Sequence, residues 1–382
     1  AFLAGPLMET ELPVTAAAMV VGGGVAGLTA ALALGRQGFP VHLVEKAAEF
    51  GGNARRLIRT FQDEALGDFL ETLVSEVEAE PRITVHKGTQ IAAVTGFVGN
   101  FHTTLAHAEG GETSIDHGVA ILATGARESK PTEYLYGEHP AVVTLLELDD
   151  CFRRSDRRLK QAHDVVFIQC VGSRDEQRPY CSKVCCTHAI QNALALKQHS
   201  PETNVYILYR DIRTYGKREA LYKEARRQGV LFFRYDLENK PVVTANDKQV
   251  TVNFHDPVLG RPVCVNADLL CLAAAIEFTA DIALAQFFKV STDADGWLLE
   301  AHQKLRPVEF ATEGVFLCGM GHYPKPLEES IAQAQAAAAK ALTVMSKDQI
   351  LVGGIVSRID PERCSGCLGC IEVCPYAAIT YN

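Results

Sequence analysis

Hydrophobic and polar positions along this chain form short blocks, some apolar on every residue and some apolar on one helical face. The block Ala16 to Lys46, "AAAMVVGGGVAGLTAALALGRQGFPVHLVEK", predicts strand, glycine turn, helix and strand. A second block, "DVVFIQCVGSRDEQRPYCSKVCCTHAIQNALALKQHSPETNVYILYRD", predicts a strand over Val165 to Gln169, a loop, a helix from Val184 to Lys197 and a strand over Val205 to Tyr209. Between them, "FLETLVSEVEAEPRITVHKGTQIAAVTG" gives an amphipathic helix with its acids on a solvated face, then strands. "GVAILATGA", Gly118 to Ala126, is an apolar strand, and "HDPVLGRPVCVNADLLCLAAAIE" contains a core strand. Near the end, "EGVFLCGMGH" gives one more strand, followed by an alanine-rich helix around Ala334 to Ala341.

The glycines of the first block carry chemistry. Gly22, Gly24 and Gly27 form G-x-G-x-x-G: the first allows a tight turn, the second lets backbone approach a pyrophosphate, and the third lets helix pack on strand. The N–H groups of Val25 and Ala26 then open a helix whose dipole favours negative charge. Glu45, followed by Lys46, stands where an acid accepts ribose hydroxyls. Strand, turn, helix, strand and acid together predict a bound nucleotide. Gly51, Gly52 and Asn53 follow soon after, and Thr124-Gly125 close the strand of "GVAILATGA". These signals resemble the FAD domain of two-dinucleotide flavoprotein disulfide reductases. The resemblance implies that Gly319 ends a strand beside the flavin ribityl and that the helix after Pro326 points at the pyrimidine edge. Relatives have Gly-Asp there; here Gly319-Met320-Gly321-His322 makes His322 and Lys325 the candidate polar partners.

Composition narrows the class. With 47% apolar and 22% charged residues the chain reads as soluble and globular. A net charge of -9 argues against nucleic acid or an anionic membrane as partner. Ala16 to Gly35 is long enough for a membrane span, but glycines of a phosphate-binding turn interrupt it, so no direct membrane insertion is expected. The N-terminus lacks both an initiator Met and a basic signal region, which predicts a fragment of a longer protein. Twelve cysteines without a secretory signal indicate a reducing, cytoplasmic setting. Cys151, Cys264, Cys271 and Cys318 are isolated, and the last two read as buried spectators in apolar strands.

In the second block the glycine fingerprint is missing, and Cys170, Cys181, Cys185 and Cys186 stand in its place. A redox dithiol normally uses C-x-x-C, which this segment lacks. Zinc prefers two short C-x₂₋₄-C pairs. An iron–sulfur cubane accepts irregular spacing because its four corners face apart. The spacing favours a [4Fe–4S] cluster, with zinc and packed thiols left open.

The runs "QCVGSRDEQRPYCSKVCC", "YILYRDIRTYGKREALYKEARRQGVLFFRYD", "KPTEYLYGEHPAVVTLLELDD", "HQKLRPVEF" and "GMGHYPKPLEESIAQAQAAA" resemble the A-type flavin subunit of heterodisulfide reductase and its bacterial homologues, over essentially the whole chain. The resemblance implies an FAD that splits an electron pair between two acceptors and an iron–sulfur cluster close to it. Two departures matter. Methanogen-type relatives carry a two-cluster ferredoxin insert before the ATG strand, and here "GFVGNFHTTLAHAEGGETSIDHGVAILATG" runs through without it. Relatives also tend to have a lysine five residues after the last of the four cysteines, where this chain has Gln191, which leaves electron bifurcation open.

"CSGCLGCIEVCPYAAITYN" supplies Cys364, Cys367, Cys370 and Cys374 in the C-x₂-C-x₂-C-x₃-C-P run of a bacterial ferredoxin half. In two-cluster ferredoxins the fourth cysteine serves the other cluster, so the tail alone is expected not to hold both. The expected fold is α/β: two interleaved Rossmann-like domains of thioredoxin-reductase, FAD/NAD(P)-binding type, plus a partial ferredoxin-like segment. The expected parts are 1–160 and 276–350 for FAD, 161–275 for the cysteine site, and 351–382 for the truncated ferredoxin. The basic stretch around Arg210, Arg213 and Lys217 reads as a solvated helix or a docking patch. The resemblance implies partner subunits: disulfide-reducing subunits, a hydrogenase or NADH module and ferredoxin, with a homodimer as a further option. Competing readings are an NAD(P)H-dependent disulfide or thioredoxin reductase, and a cofactor-poor wiring subunit. No residue of the sequence stands out as a catalytic acid, base or nucleophile.

Overall fold

The computed structural model describes residues 9–62, 64–246, 249–278, 282–353, 359–374 and 379 of the 382. In chain order the first elements are β1 (Ala18–Val21), α1 (Val25–Gly35), β2 (Val41–Val44), β3 (Ile83–His86), β4 (Val119–Leu122) and β5 (Val142–Thr144). They continue with β6 (Asp164–Val171), α2 (Cys185–His199), β7 (Asn204–Tyr209), β8 (Leu231–Arg234), β9 (Leu269–Ala274), β10 (Val315–Leu317) and α3 (Leu327–Met345). Two five-stranded sheets result, ordered β10-β4-β1-β2-β3 and β5-β9-β6-β7-β8. Both are parallel throughout.

All four residues of β1 are buried, as are all four of β4, because helices or a second sheet cover both faces of a parallel sheet. Ala18 and Val20 face a core shared with Leu28 and Leu32 of α1 and with Ala334, Ala337, Ala338 and Ala341 of α3. That alanine stripe lets α3 lie close against α1. Met19 and Val21 face the opposite core with Leu105, Ile115 and Phe310. In the second sheet Val165 and Phe167 pack on Ala189, Ile190 and Ala193 of α2, while Val166 and Ile168 meet Val250, Val252 and Phe254. Truncating one such buried Leu or Ile to Ala costs about 2–5 kcal/mol.

The two units share one plan. In each, a three-stranded antiparallel meander precedes the strand that rejoins the sheet: Thr89–Phe97, Asn100–His107 and Glu112–His117 before β4, and Val242–Ala245, Val250–Asp256 and Arg261–Ala267 before β9. The second unit starts earlier than residue 161. β5 pairs with β9, and Leu145, Leu148, Cys151 and Leu159 belong to its core. A three-residue strand carries too little alternation to be seen in sequence. Strand Glu9–Pro13 pairs antiparallel with Gln349–Gly353. Among the described residues no helix is long and apolar enough to cross a membrane.

Candidate functional site

In an open parallel sheet the ligand crevice lies beyond the carboxyl ends of the strands where the order reverses, here between β1 and β4. The glycine turn occupies that edge, and its three glycines do different work. Gly22 has φ +111°, and a Cβ there would lie 2.3 Å from the Ala123 carbonyl oxygen. A Cβ on Gly27 would lie 1.8 Å from the Gly22 oxygen. Those two are required by the backbone itself. A Cβ on Gly24 would meet nothing within 4 Å, so this glycine borders open space at the N-terminus of α1. The helix has no side-chain cap and no acid in its first turn, which leaves its amides for an anion.

The other predicted flavin residues gather around this turn. Glu45 accepts hydrogen bonds from Gly23 N at 2.5 Å and from Ala47 N at 2.7 Å, while Lys46 is exposed. Gly51 N donates to the Gly23 oxygen at 2.8 Å, and Gly52, with φ +52°, lies against the Gly24 Cα. Asn53 Nδ2 donates to the Ala126 oxygen at 2.7 Å, tying this loop to the end of β4. Gly125 takes φ +72° beside open space. Thr124 Oγ1 is buried without a hydrogen-bond partner within the chain. An orphaned hydroxyl, an open glycine and uncapped amides along one edge fit a bound dinucleotide with a polar ring.

Gly319 completes the edge, with φ +75° and a Cβ position only 2.8 Å from Ala26 Cβ. Its N–H donates to Gln333 Oε1 at 3.0 Å. Lys325, 3% exposed, donates to the same oxygen and to His322 Nδ1 at 3.2 Å. Gln333 Nε2 donates to that ring nitrogen too, at 2.8 Å. With Nδ1 receiving, the neutral ring carries its proton on Nε2, which donates to Glu300 Oε2 at 2.7 Å. Burial, reinforced by the Lys325 charge, pulls His322 down to about 4. Burial likewise pulls Lys325 down to about 7. Both ring nitrogens of His322 are thus engaged inside the chain. Sequence reasoning missed Glu300, which comes from an irregular segment, and Gln333, whose amide lies within a helix otherwise read as alanine packing.

In the second unit the corresponding turn follows β6 and leads into α2. Cys170 sits near the strand end with φ +60°, Cys181 in the loop, and Cys185 and Cys186 in the first turn of the helix. Cys186 accepts a hydrogen bond from the Cys185 thiol and is drawn down to about 7. The same bond and burial hold Cys185 well above the usual thiol range, and the charges of Cys186, Cys170 and Cys181 all add to this. Burial pushes Cys170 up to about 11. The four sulfurs therefore lie within electrostatic range of one another. Among the described residues no three His, Cys, Asp or Glu side chains converge on a single ion.

The loop is fastened from several sides. Lys183 N donates to Cys181 Sγ at 3.3 Å, and Arg174 Nη1 lies 3.9 Å from Cys170 Sγ. Ser182, fully buried, accepts from Ile276 N at 2.9 Å, and Tyr180 OH donates to the Ile276 oxygen. Lys183 Nζ reaches across to Glu329 Oε2 at 2.7 Å, in the first turn of α3. Tyr215 bonds Glu329, and Arg218 bonds Glu328. Part of the basic stretch is therefore internal: Arg218 and Tyr215 dock on α3 and Arg210 donates to the Arg174 oxygen, while Arg213 and Lys217 are exposed. Gln191 Nε2 donates to the Thr60 oxygen, a further tie between the units.

Of the isolated cysteines, Cys271 and Cys318 are fully buried, Cys151 is buried and Cys264 exposed. In the tail Cys364, Cys367 and Cys370 are exposed and Cys374 is half-buried; Pro375 lies outside the described residues.

The family described as the NAD(P)-binding Rossmann-like domain matches residues 20–66, and the 4Fe-4S binding domain matches residues 357–380. The chain is 32% identical to the A-type iron-sulfur subunit of the CoB–CoM heterodisulfide reductase of Methanocaldococcus jannaschii, with 95% of this chain and 69% of the relative covered. It is 31% identical to the A-type subunit of the H(2):CoB-CoM heterodisulfide,ferredoxin reductase of Methanothermobacter marburgensis, with 98% and 71% covered. The first alignment runs over 462 positions, more than the 382 residues here, so that relative carries residues within the matched span that this chain lacks. In fold the chain is similar to thioredoxin reductase of Lactococcus lactis, with a TM-score of 0.61 at 16% identity over 86% of this chain and 98% of that one. The T. acidophilum thioredoxin reductase gives 0.59 at 16% identity, with 85% and 97% covered. This chain belongs to the family of A-type heterodisulfide reductase subunits, iron–sulfur flavoprotein oxidoreductase components with FAD and [4Fe–4S] clusters as cofactors.

Proposed function

We propose that this chain is an electron-transfer subunit that holds FAD along the glycine edge of the first sheet and a [4Fe–4S] cluster at the cysteine edge of the second. One observation carries this reading: in each parallel sheet the strand that opens the βαβ unit lies beside the strand that rejoins after the meander, and it is followed by a glycine turn in the first sheet and a cysteine turn in the second. FAD supplies electron-pair chemistry and the clusters supply single-electron steps. The chain's own contribution is positioning. Gly24, Val25 and Ala26 offer space and amides to the pyrophosphate, Glu45 an acceptor to the ribose, Thr124 a free hydroxyl and Lys325 a charge to the ribityl and ring, with Gly319 allowing close approach and His322 holding Lys325 in place. Cys170, Cys181, Cys185 and Cys186 hold the cluster at a helix N-terminus, where the dipole favours thiolates. Lys183 and its Glu329 partner fix this loop against the helix that borders the flavin edge.

In the tail, Cys364, Cys367 and Cys370 ligate a cluster that exchanges electrons with a partner, and their exposure suits contact with one. The partners proposed are the disulfide-reducing subunits, a hydrogenase or NADH module, and ferredoxin, in the cytoplasm. Iron and flavin quantitation with EPR of the reduced protein, on the native chain and on Cys185→Ser, tests the arrangement. The variant should lose one cluster's iron and its EPR signal while keeping FAD. An unchanged signal would refute the cysteine assignment.

A further inference from the structure

We infer that an arginine face at the seam between the two units docks an acidic protein electron carrier, an inference that rests on the FAD placement proposed above. The face is a local excess of positive charge on a chain whose net charge is -9. Between residues 150 and 160 stand five cations and two acids, and both acids are engaged: Asp150 by Arg56 and Arg153, Asp156 by Arg158. Arg154, Arg157 and Lys160 are exposed and have no acid partner among the described residues. Cys151 of helix Leu145–Arg153 and Leu159 of helix Arg157–Gln161 point into one core, which turns the cations of both helices outward.

The face belongs to both units. Arg153 Nη1 donates to the Arg55 oxygen at 2.6 Å, and Arg56 Nη2 donates to Asp150 Oδ2 at 2.8 Å, so the loop after Gly52 is tied to these helices. Gly52 lies against the Gly24 Cα, and exposed Arg55 is three residues further on, at most ~11 Å away along the chain. A carrier seated on these cations therefore comes close to the glycine edge.

The make-up of the face also selects the kind of partner. Among the described residues no large apolar side chain is exposed over 49–62 or 145–161. A lasting subunit interface needs an apolar centre, whereas brief electron-transfer encounters are small and rely on charge. A second copy docked face to face would set cation against cation. An acidic carrier meets the opposite situation: the remote acids of this chain are screened beyond ~10 Å at about 0.1 M salt, while the exposed cations act at contact. Each docking moves one electron between FAD and the carrier, so two dockings account for the pair, and the protons of reduced FAD go to water.

The test sets two haem proteins, acidic cytochrome b5 and basic cytochrome c, against the full 382-residue chain loaded with FAD and photoreduced. Each cytochrome takes one electron, and haem absorbance gives the rate. In Arg154→Glu/Arg157→Glu/Lys160→Glu the cytochrome b5 rate at low salt should fall ~30-fold and the cytochrome c rate should rise. Salt at about 1 M, where the screening length is ~3 Å, should erase both changes. Lys223→Glu/Lys304→Glu/Lys347→Glu, at exposed lysines elsewhere, reaches the same net charge and should keep the cytochrome b5 rate within ~3-fold of native. Urea midpoint and FAD content should stay near native in both variants, because the substituted cations hold nothing within the chain. Equal slowing in the two variants would overturn the docking face, as would an unchanged rate in the first. An oligonucleotide held by the native chain at physiological salt, but not by the first variant, would assign the face to nucleic acid instead. If the native chain takes up no FAD yet binds cytochrome b5 by calorimetry at low salt, and the first variant does not, the FAD placement fails and the docking face stands.

Discussion

The two turns at the heart of the molecule solve opposite problems with the same sheet. After β1 the chain uses glycine wherever the backbone collides or turns left-handed, and Gly22 and Gly27 stand where any side chain would strike a carbonyl oxygen. After β6 one glycine remains in the turn, Gly172 with φ +66°, and the other left-handed residues are Cys170, Arg174 and Lys183 with φ near +60°. Each such non-glycine residue costs ~1 kcal/mol. A nucleotide is bound by bringing backbone near it, so side chains are removed. A cluster is bound by side chains alone, so the backbone accepts strain to aim them. On the proposed reading, the thiols of the second turn stand where the first turn offers open glycine.

The sharpest way to break this comparison is within the first turn. Gly27→Ala places a methyl against backbone and should destabilise the cofactor-free protein by more than ~4 kcal/mol, read from urea unfolding. Gly24→Ala meets nothing and should leave cofactor-free stability within ~1 kcal/mol of the parent, the cost of ordering a helix N-terminus, yet lower FAD occupancy. Equal losses in both variants would show that the glycines serve the fold alone.

Acid provides the next contrast. His117, fully buried in the first unit, accepts from Thr103 Oγ1 at 2.8 Å and donates to the Val119 oxygen at 2.9 Å, and burial holds it near 4. The unfolded chain titrates at the ordinary value of ~6.5, so between those values it binds the more protons. Stability therefore rises with pH through that window and falls as pH drops from 6.5 towards 4, by ~3 kcal/mol from this residue. His117→Gln should flatten the dependence, as measured by urea midpoints across that range. A slope unchanged by the substitution would assign the acid sensitivity elsewhere.

The smallest effect concerns the tie between the units. Lys183→Met removes the half-buried ion pair with Glu329 and should lower stability by only ~1 kcal/mol. Its larger signature should be a shifted EPR line shape of the cluster, since the loop carrying Cys181 loses its anchor. A native line shape would limit Lys183 to a modest structural role.

Much of this was legible in sequence for a physical reason. Gly27 is imposed by a collision with Gly22 five residues away and the cysteine spacing by the helix start at Cys185, both local, while Gly22 is held by its turn as well as by the distant Ala123 carbonyl. The strand over Val165 to Gln169 and the helix ending near Lys197 emerged within two residues of their observed ends because their apolar periods are strong. What stayed hidden is long-range. Lys183 meets Glu329 from 146 residues away, and Glu300 meets His322 from a segment with no regular period. The basic run around Tyr215 read as solvated because nothing in its pattern names the acids of α3 that receive it.

The pairing of Glu9–Pro13 with Gln349–Gly353 has its own consequence for handling the protein. Glu9 lies opposite Gly353 and Pro13 opposite Gln349, so two segments from far apart in the sequence are held edge to edge. A pair of spectroscopic labels at Thr10 and Val352, which face each other in the register, would report whether that seam stays closed while the rest of the protein is handled.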